Sequence, residues 1–320
     1  MGDVTIGIDI GGTKIQAAAV RDQAIIGTFR LATPQSGERD VAAAIVAASD
    51  AALAEAEVHR SEVRGVGIGA PGTIDPEAGT VSSSPNLPGF QTAEPVPLGS
   101  MVSAGLVGAP VKIDNDVRVA ILGEWKRGAG RRFHDRLGVW VGTGVGGGLI
   151  LHGEPYRGQG AAAEIGHIIV KPGGRVCSDG RKGHLEAYAG RGRMEAYARE
   201  LHEGGRKTSL FKIMEKKGRT RMSSGVIAEA LEEGDKLAQE LIDGAVGALA
   251  TGLASVQNLL ALEAIVIGGG LADRLGPPFI ERIRDEMQPL LFVPDRPPAM
   301  LSSEFGDLSG AVGAAVLAGG

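Results

Sequence analysis

Apolar and polar positions along the chain follow two periods. Residues 4–10, 14–20 and 24–30 are short runs rich in β-branched side chains with turn residues between them, which predicts a three-stranded meander. Residues 38–58 are alanine-rich with apolar positions at helical spacing, and a strand follows over 63–68. Ser, Pro and Gly dominate residues 70–97, a predicted loop. A short strand at 111–113 runs into Asp114-Asn115-Asp116 and a helix over 117–126. A hairpin is predicted from 137–141 and 147–151 around a glycine turn. Residues 185–254 read as mostly helical, with Ser223-Ser224 capping a helix over 226–231. A long apolar helix over 235–260 should be buried. A strand at 264–267, a helix at 279–287 and an apolar helix over 307–317 complete the pattern. Strands alternating with helices predict an α/β architecture.

A chain of 320 residues is long enough for two domains. Two segments share a design: a strand leading to Asp9-Ile10-Gly11-Gly12, and a second leading to Gly142-Thr143-Gly144. They suggest two related lobes around a central cleft. The net charge of −5 argues against a nucleic-acid partner. No run reaches the ~18 apolar residues of a membrane span, and the start lacks a signal-peptide pattern. Cys177 is the single cysteine, so no disulfide forms within the chain. The expectation is a cytoplasmic protein without membrane contacts.

Glycine fills 51 positions and gathers in clusters: 11–12, 69–72, 142–148, 173–174 and 268–270. Most of them end an apolar β-branched run. A glycine turn after a strand lets backbone N–H groups approach a phosphate, because no Cβ intervenes. Several such turns in one chain suggest a polyphosphate held from more than one side. Residues 142–147 also fit G-x-G-x-x-G literally, but that dinucleotide fingerprint requires a helix next. Gly148-Leu149-Ile150-Leu151 reads as a strand, so a hairpin is expected there instead.

Asp9-Ile10-Gly11-Gly12-Thr13-Lys14 resembles the phosphate-1 signature of the superfamily joining sugar kinases, heat-shock chaperone ATPases and actin. Within it the chain is similar to the ROK family (repressors, open reading frames, kinases) over nearly its whole length. Pro85-Asn86-Leu87-Pro88-Gly89 resembles the family's sugar-contacting loop, and Asp114-Asn115-Asp116 its E-N-D-A-N element. Residues 142–148 match the phosphate-2 hairpin, Glu164-Ile165-Gly166-His167 the G-E-x-G-H element, and Gly268-Gly269-Gly270 the adenosine turn. The resemblance implies a two-lobed actin-like ATPase (ribonuclease H-like) fold. The smaller domain would hold residues 1–116 plus about 307–320, and the larger one 117–306.

The implied activity is glucokinase-like: transfer of the γ-phosphoryl of Mg-ATP to a hexose hydroxyl, with Asp116 as general base. A plain helix N-cap is the alternative role for Asp116. Asn86, Asn115, Asp116, Glu164, His167 and Glu186 would bind the sugar, since amides and carboxylates suit a polyol. Asp9 would lie near Mg²⁺. Gly11, Gly12, Thr13, Gly142, Thr143 and Gly144 would contact phosphates, Lys14 would add charge, and Gly269 and Gly270 would lie against adenosine. Fructose, mannose, N-acetylmannosamine or a cyclitol as acceptor, and polyphosphate as donor, remain open. So does an inactive sugar sensor. Family repressors carry a helix-turn-helix domain ahead of the kinase-like part. Here the first strand starts at Val4, so a kinase is expected. A homodimer is implied by the resemblance alone.

Most family members bind zinc through the His of G-H and the cysteines of C-x-C-G-x-x-G-C-L-E. Here that run is Cys177-Ser178-Asp179-Gly180-Arg181-Lys182-Gly183-His184-Leu185-Glu186. Two cysteines are replaced by Asp179 and His184, both of which can ligate zinc, giving a set of His167, Cys177, Asp179 and His184. A surviving zinc site and a loop kept by packing alone both stand. Arg118 replaces the final Asn of E-N-D-A-N, either altering packing or pairing with an acidic neighbour.

Overall fold

The computed structural model describes residues 3–84, 87–106 and 108–319. They form two compact units: residues 1–131 with 307–320, and residues 132–306.

The first unit is built on strands β1 (Val4–Ile10), β2 (Lys14–Arg21), β3 (Ala24–Ala32), β4 (Val63–Ala70) and β7 (Val111–Asn115) in the order β3-β2-β1-β4-β7. The first three pair antiparallel as the meander pattern predicts, and β4 and β7 add in parallel. Helices α1 (Glu38–Glu55), α2 (Leu98–Gly105) and α3 (Asp116–Lys126) complete it. A small hairpin of β5 (Thr73–Asp75) and β6 (Thr80–Ser83) lies within the stretch expected to be loop. Its strands are too short to leave a periodic signature.

Helix α1 buries Val41, Ile45, Ala48 and Ala52 against the sheet's apolar residues. The C-terminal helix (Ser309–Gly319) packs on β1 and β4 through small residues. A Cβ on Gly7 would lie 1.8 Å from Ala311 O, and one on Gly67 1.8 Å from Ala314 O. Glycine lets the helix backbone sit directly on the strands. The same helix meets α3 where a Cβ on Gly313 would lie 1.6 Å from Val119 O. That contact keeps residues 117–131 with the first unit, so its boundary falls after Arg131 rather than at the expected Asp116.

The second unit repeats the plan. Strands β8 (Arg136–Val141), β9 (Val145–Leu151), β10 (Glu154–Tyr156), β11 (Ala264–Gly268) and β12 (Ala299–Ser302) are ordered β10-β9-β8-β11-β12. The first three are antiparallel and the last two parallel. Between β10 and β11 come α4 (Glu186–Ala189), α5 (Arg191–Glu203), α6 (Leu210–Lys216), α7 (Ser224–Glu232) and α8 (Lys236–Leu260). Two more, α9 (Gly270–Leu275) and α10 (Pro277–Met287), precede β12. Helix α8 buries Leu237, Leu241, Ala245, Leu249 and Leu253 at helical spacing. Its N-cap Asp235 accepts from the N–H groups of Leu237 and Ala238 at 2.9 Å each. Ser223 caps α7 by accepting from Val226 N–H. None of the helices among the described residues is long and apolar enough to cross a membrane.

Candidate active site

In the first unit the candidate residues gather where the parallel strands end. The β1–β2 turn closes with a Gly11 N–H bond to Lys14 O at 2.8 Å, and Thr33 Oγ1 donates to Gly11 O at 2.6 Å. Asn115 ends β7 and caps α3, its Oδ1 accepting from Val117 N–H at 3.1 Å and Arg118 N–H at 3.3 Å. The cap role therefore belongs to Asn115, and Asp116 is the first helical residue, its Oδ1 accepting from Val117 N–H at 2.9 Å. A Cβ on Gly69 would lie 3.3 Å from the Asp116 Cα, so glycine at the end of β4 admits this first turn. Burial first, then the charges of Asp116 and Asp307 over the opposing Lys14, push the Asp9 carboxyl up to about 7. A carboxylate strained in this way by like charges is suited to a hard cation.

Lys14 pairs with Asp307 at 3.1 Å, and Arg30 reaches the same carboxylate oxygen at 3.0 Å. Its charge is thus tied to the start of the C-terminal segment. Arg118 Nε meets Asp114 Oδ1 at 3.2 Å, one helical turn apart and with Asp114 buried. The two departures in this element pair with each other. Asn86 lies outside the described residues.

In the second unit, Gly142, Thr143 and Gly144 form the β8–β9 turn, closed by Gly142 N–H to Gly144 O at 2.9 Å. This is the predicted hairpin, so no helix follows the G-x-G-x-x-G match. The start of α5 is bonded to the turn: Arg191 N–H donates to Gly142 O at 3.1 Å and Gly192 N–H to Thr143 O at 2.9 Å. Gly269 follows β11 at φ +89°, and a Cβ there would lie 2.8 Å from Val141 N and O. Only glycine combines that φ with that approach, which places the Gly269-Gly270 turn beside the end of β8.

Glu164 is exposed and precedes the single 3₁₀ turn holding His167, whose N–H donates to Glu164 O at 3.0 Å. Glu186 is buried. Its Oε2 accepts from Val145 N–H at 2.9 Å, and its Oε1 accepts from Ser178 Oγ and, at 3.5 Å, from Cys177 Sγ. It therefore joins the Cys177–His184 loop to the phosphate-turn hairpin.

The side chains of His167, Cys177, Asp179 and His184 converge, with ligand atoms all within 4.8 Å of one another. His167 Nδ1 is 3.4 Å from His184 Nδ1, 3.4 Å from Asp179 Oδ2 and 4.0 Å from Cys177 Sγ. His184 Nδ1 is 3.3 Å from Asp179 Oδ2. Bonds of ~2.0–2.3 Å in a tetrahedron imply edges of ~3.3–3.7 Å; the three separations among His167, His184 and Asp179 meet that range, and the Cys177 separation of 4.0 Å is longer. Burial pushes the Cys177 thiol up from its ordinary value. Against the raising effect of burial, the Arg181 N–H bond, then His184 and His167, hold the Asp179 carboxyl down.

Two sheets of equal order and sense, each with a glycine turn in its first hairpin, define an actin-like ATPase fold of the sugar-kinase type. Residues 5–320 match the model of the ROK family, and the chain belongs to that family. It is 34% identical over 320 residues to a glucokinase of Streptomyces coelicolor, covering 98% of this chain and 97% of that protein. A Thermotoga maritima glucokinase is 32% identical over 294 residues, covering 89% and 88%. Among solved structures, a Streptomyces griseus ROK glucokinase in complex with glucose and AMPPNP superposes at a TM-score of 0.82. It is 34% identical, with 98% and 99% of the two chains covered.

Sequence reasoning missed two polar groups of this site. Ser178 bridges to Glu186, and the Arg191 side chain lies at the phosphate turn. Ser178 fills an unspecified position of the metal-loop motif, and Arg191 lies outside every motif element. Both were legible only as ordinary polar residues in a Gly-rich stretch.

Proposed function

We propose that the chain is an ATP-dependent hexose kinase that transfers the γ-phosphoryl of Mg-ATP to a hydroxyl of glucose. The observation that carries this reading is the position of Asp116. It opens α3 at the carboxyl end of a parallel strand, electrostatically coupled to Asp9 at the end of β1. Asp116 accepts the proton of the attacking hydroxyl as the bond to phosphorus forms. Asn86, Asn115, Glu164, His167 and Glu186 orient the sugar, and closely placed reactants lower the entropic part of the barrier. The turns of Gly11, Gly12 and Thr13 and of Gly142, Thr143 and Gly144 bind the phosphates, and Gly269 and Gly270 admit the adenosine. Asp9 is the residue that would hold Mg²⁺, which neutralises phosphate charge when bound.

We assign zinc to His167, Cys177, Asp179 and His184, where it would fix the loop that carries Glu186. Metal analysis of the purified protein is expected to find zinc that His184→Ala loses.

ADP release measured over a panel of hexoses, amino sugars and cyclitols tests the kinase reading. Turnover of glucose that Asp116→Ala loses supports it. Sugar binding without turnover of any member would sink it in favour of a sensor, and turnover confined to another sugar would change the acceptor.

A further inference from the structure

Arg191 opens α5 just after α4, whose first residue, Glu186, anchors the Gly142–Gly144 hairpin. Its guanidinium spans two hydroxyls, Nη2 donating to Thr143 Oγ1 at 3.1 Å and Nη1 to Ser224 Oγ at 3.1 Å. Both partners are neutral. Among the described residues it forms no ion pair, and the nearest acid is already engaged. Glu195 accepts from Arg199 at 2.7 Å, from the Met222 N–H at 2.8 Å and from Arg221 at 3.4 Å. Arg221 adds a second cation, its Nη2 lying 3.6 Å from where a Cβ on Gly192 would be. The same construction on Gly270 ends 3.8 Å from Arg191 Nη1, so the guanidinium also borders the second glycine turn.

A guanidinium held by hydroxyls alone, beside a second arginine, is short of negative charge. Burial, then the neighbouring Arg221, lower its affinity for its own proton and the partly engaged Glu195 opposes them, yet an arginine remains charged near neutrality. Ordinary structural bracing of a turn by a hydrogen bond needs no cation. Phosphate oxygens, by contrast, bind the guanidinium fork in pairs, and its free edge would serve them.

We propose that Arg191 is a donor-phosphate residue: it binds phosphate oxygens of the nucleotide, and Thr143 and Ser224 hold its guanidinium ready beside both glycine turns. This rests on the kinase reading above. Position also gives Arg191 a selective role. It discriminates by the phosphate chain, while the glycine turn at 269–270 takes the nucleoside.

Calorimetric titration of the full chain with adenosine, AMP, ADP and ATP tests this, comparing wild type with Arg191→Gln, Arg191→Lys and Ser224→Ala. The expected result is an ADP and ATP affinity about 10–100-fold weaker in Arg191→Gln, with adenosine changed by less than about twofold. Arg191→Lys falls between, because it keeps the charge and loses the fork. Ser224→Ala, which removes one tether and keeps the cation, costs less than Arg191→Gln. Equal weakening of adenosine and ADP together with a lowered Tm would make Arg191 a brace of the turn and overturn the proposal. Unchanged ADP affinity in Arg191→Gln would overturn it as well. If folded wild-type protein bound none of the four ligands, the nucleotide reading itself would fail, and this inference with it.

Discussion

The two units are built on the same sheet and end in different chemistry. In each, a three-stranded antiparallel meander is extended by two parallel strands. Each meander has a glycine turn between its first two strands. In the first unit the strand ends carry carboxylates, Asp9 in the last residues of β1 and Asp116 just after β7. In the second, the corresponding turn is bordered by Arg191, and β12 ends beside Ser303, whose hydroxyl donates to Asp273. One fold plan thus carries carboxylates at the strand ends of one half and an arginine beside the turn of the other. Backbone topology sets where strand ends and turns lie; side chains at a few of those ends decide what they do.

The sharpest way to break the comparison is to neutralise the acid that distinguishes the first unit. Asp116→Asn is expected to lower kcat by about 10²–10⁴-fold while leaving nucleotide affinity in place, measured by coupled ADP release and by titration. A loss of similar size in nucleotide affinity would mean that Asp116 holds the fold of the turn instead.

Packing differs between the units as much as charge does. The first seats a small-residue helix directly on glycines, whereas the second uses the large apolar residues of α8. Gly67→Val should therefore cost about 3 kcal/mol or more in urea unfolding, because its Cβ meets a helix carbonyl rather than a movable side chain.

The acidic half should also leave a signature in pH. The folded-state pKa of Asp9, about 7, lies above its ordinary 3.8, so the folded protein holds this proton more tightly than the unfolded chain. Metal-free stability should consequently fall as pH rises from about 4 to about 7, by roughly a few kcal/mol at most, and level off above. Asp9→Asn should flatten that slope. Denaturant unfolding at several pH values decides it, and an unchanged slope in the variant would refute the assignment.

The smallest effect is expected in the second unit. A Cβ on Gly247 in α8 would approach only Glu286 Oε2, at 3.4 Å, an atom at the end of a flexible side chain. Gly247→Ala should raise stability by about 0.5–1 kcal/mol, visible as a higher Tm.

Much of this molecule is determined locally. The β-branched runs before glycine clusters, the Ser223 cap and the apolar spacing of α8 mark their elements without help from the rest of the chain. Motif spacing also singles out Asp9, Asp116 and the two glycine turns as candidates, because each depends on a few neighbouring residues. The short strands β5, β6, β10 and β12 carry too few residues to show a period, and only pairing with neighbours makes them strands. Local hydrogen bonding makes Asn115 rather than Asp116 the cap of α3 and pairs Arg118 with Asp114, whereas tertiary structure alone decided that Lys14 is tied to Asp307. It also decided that α3 stays with the C-terminal helix, through a Glu124–Ser309 contact that spans 185 positions. Such pairings depend on how distant segments pack, and a linear pattern holds no record of which side chain a fold will set against another.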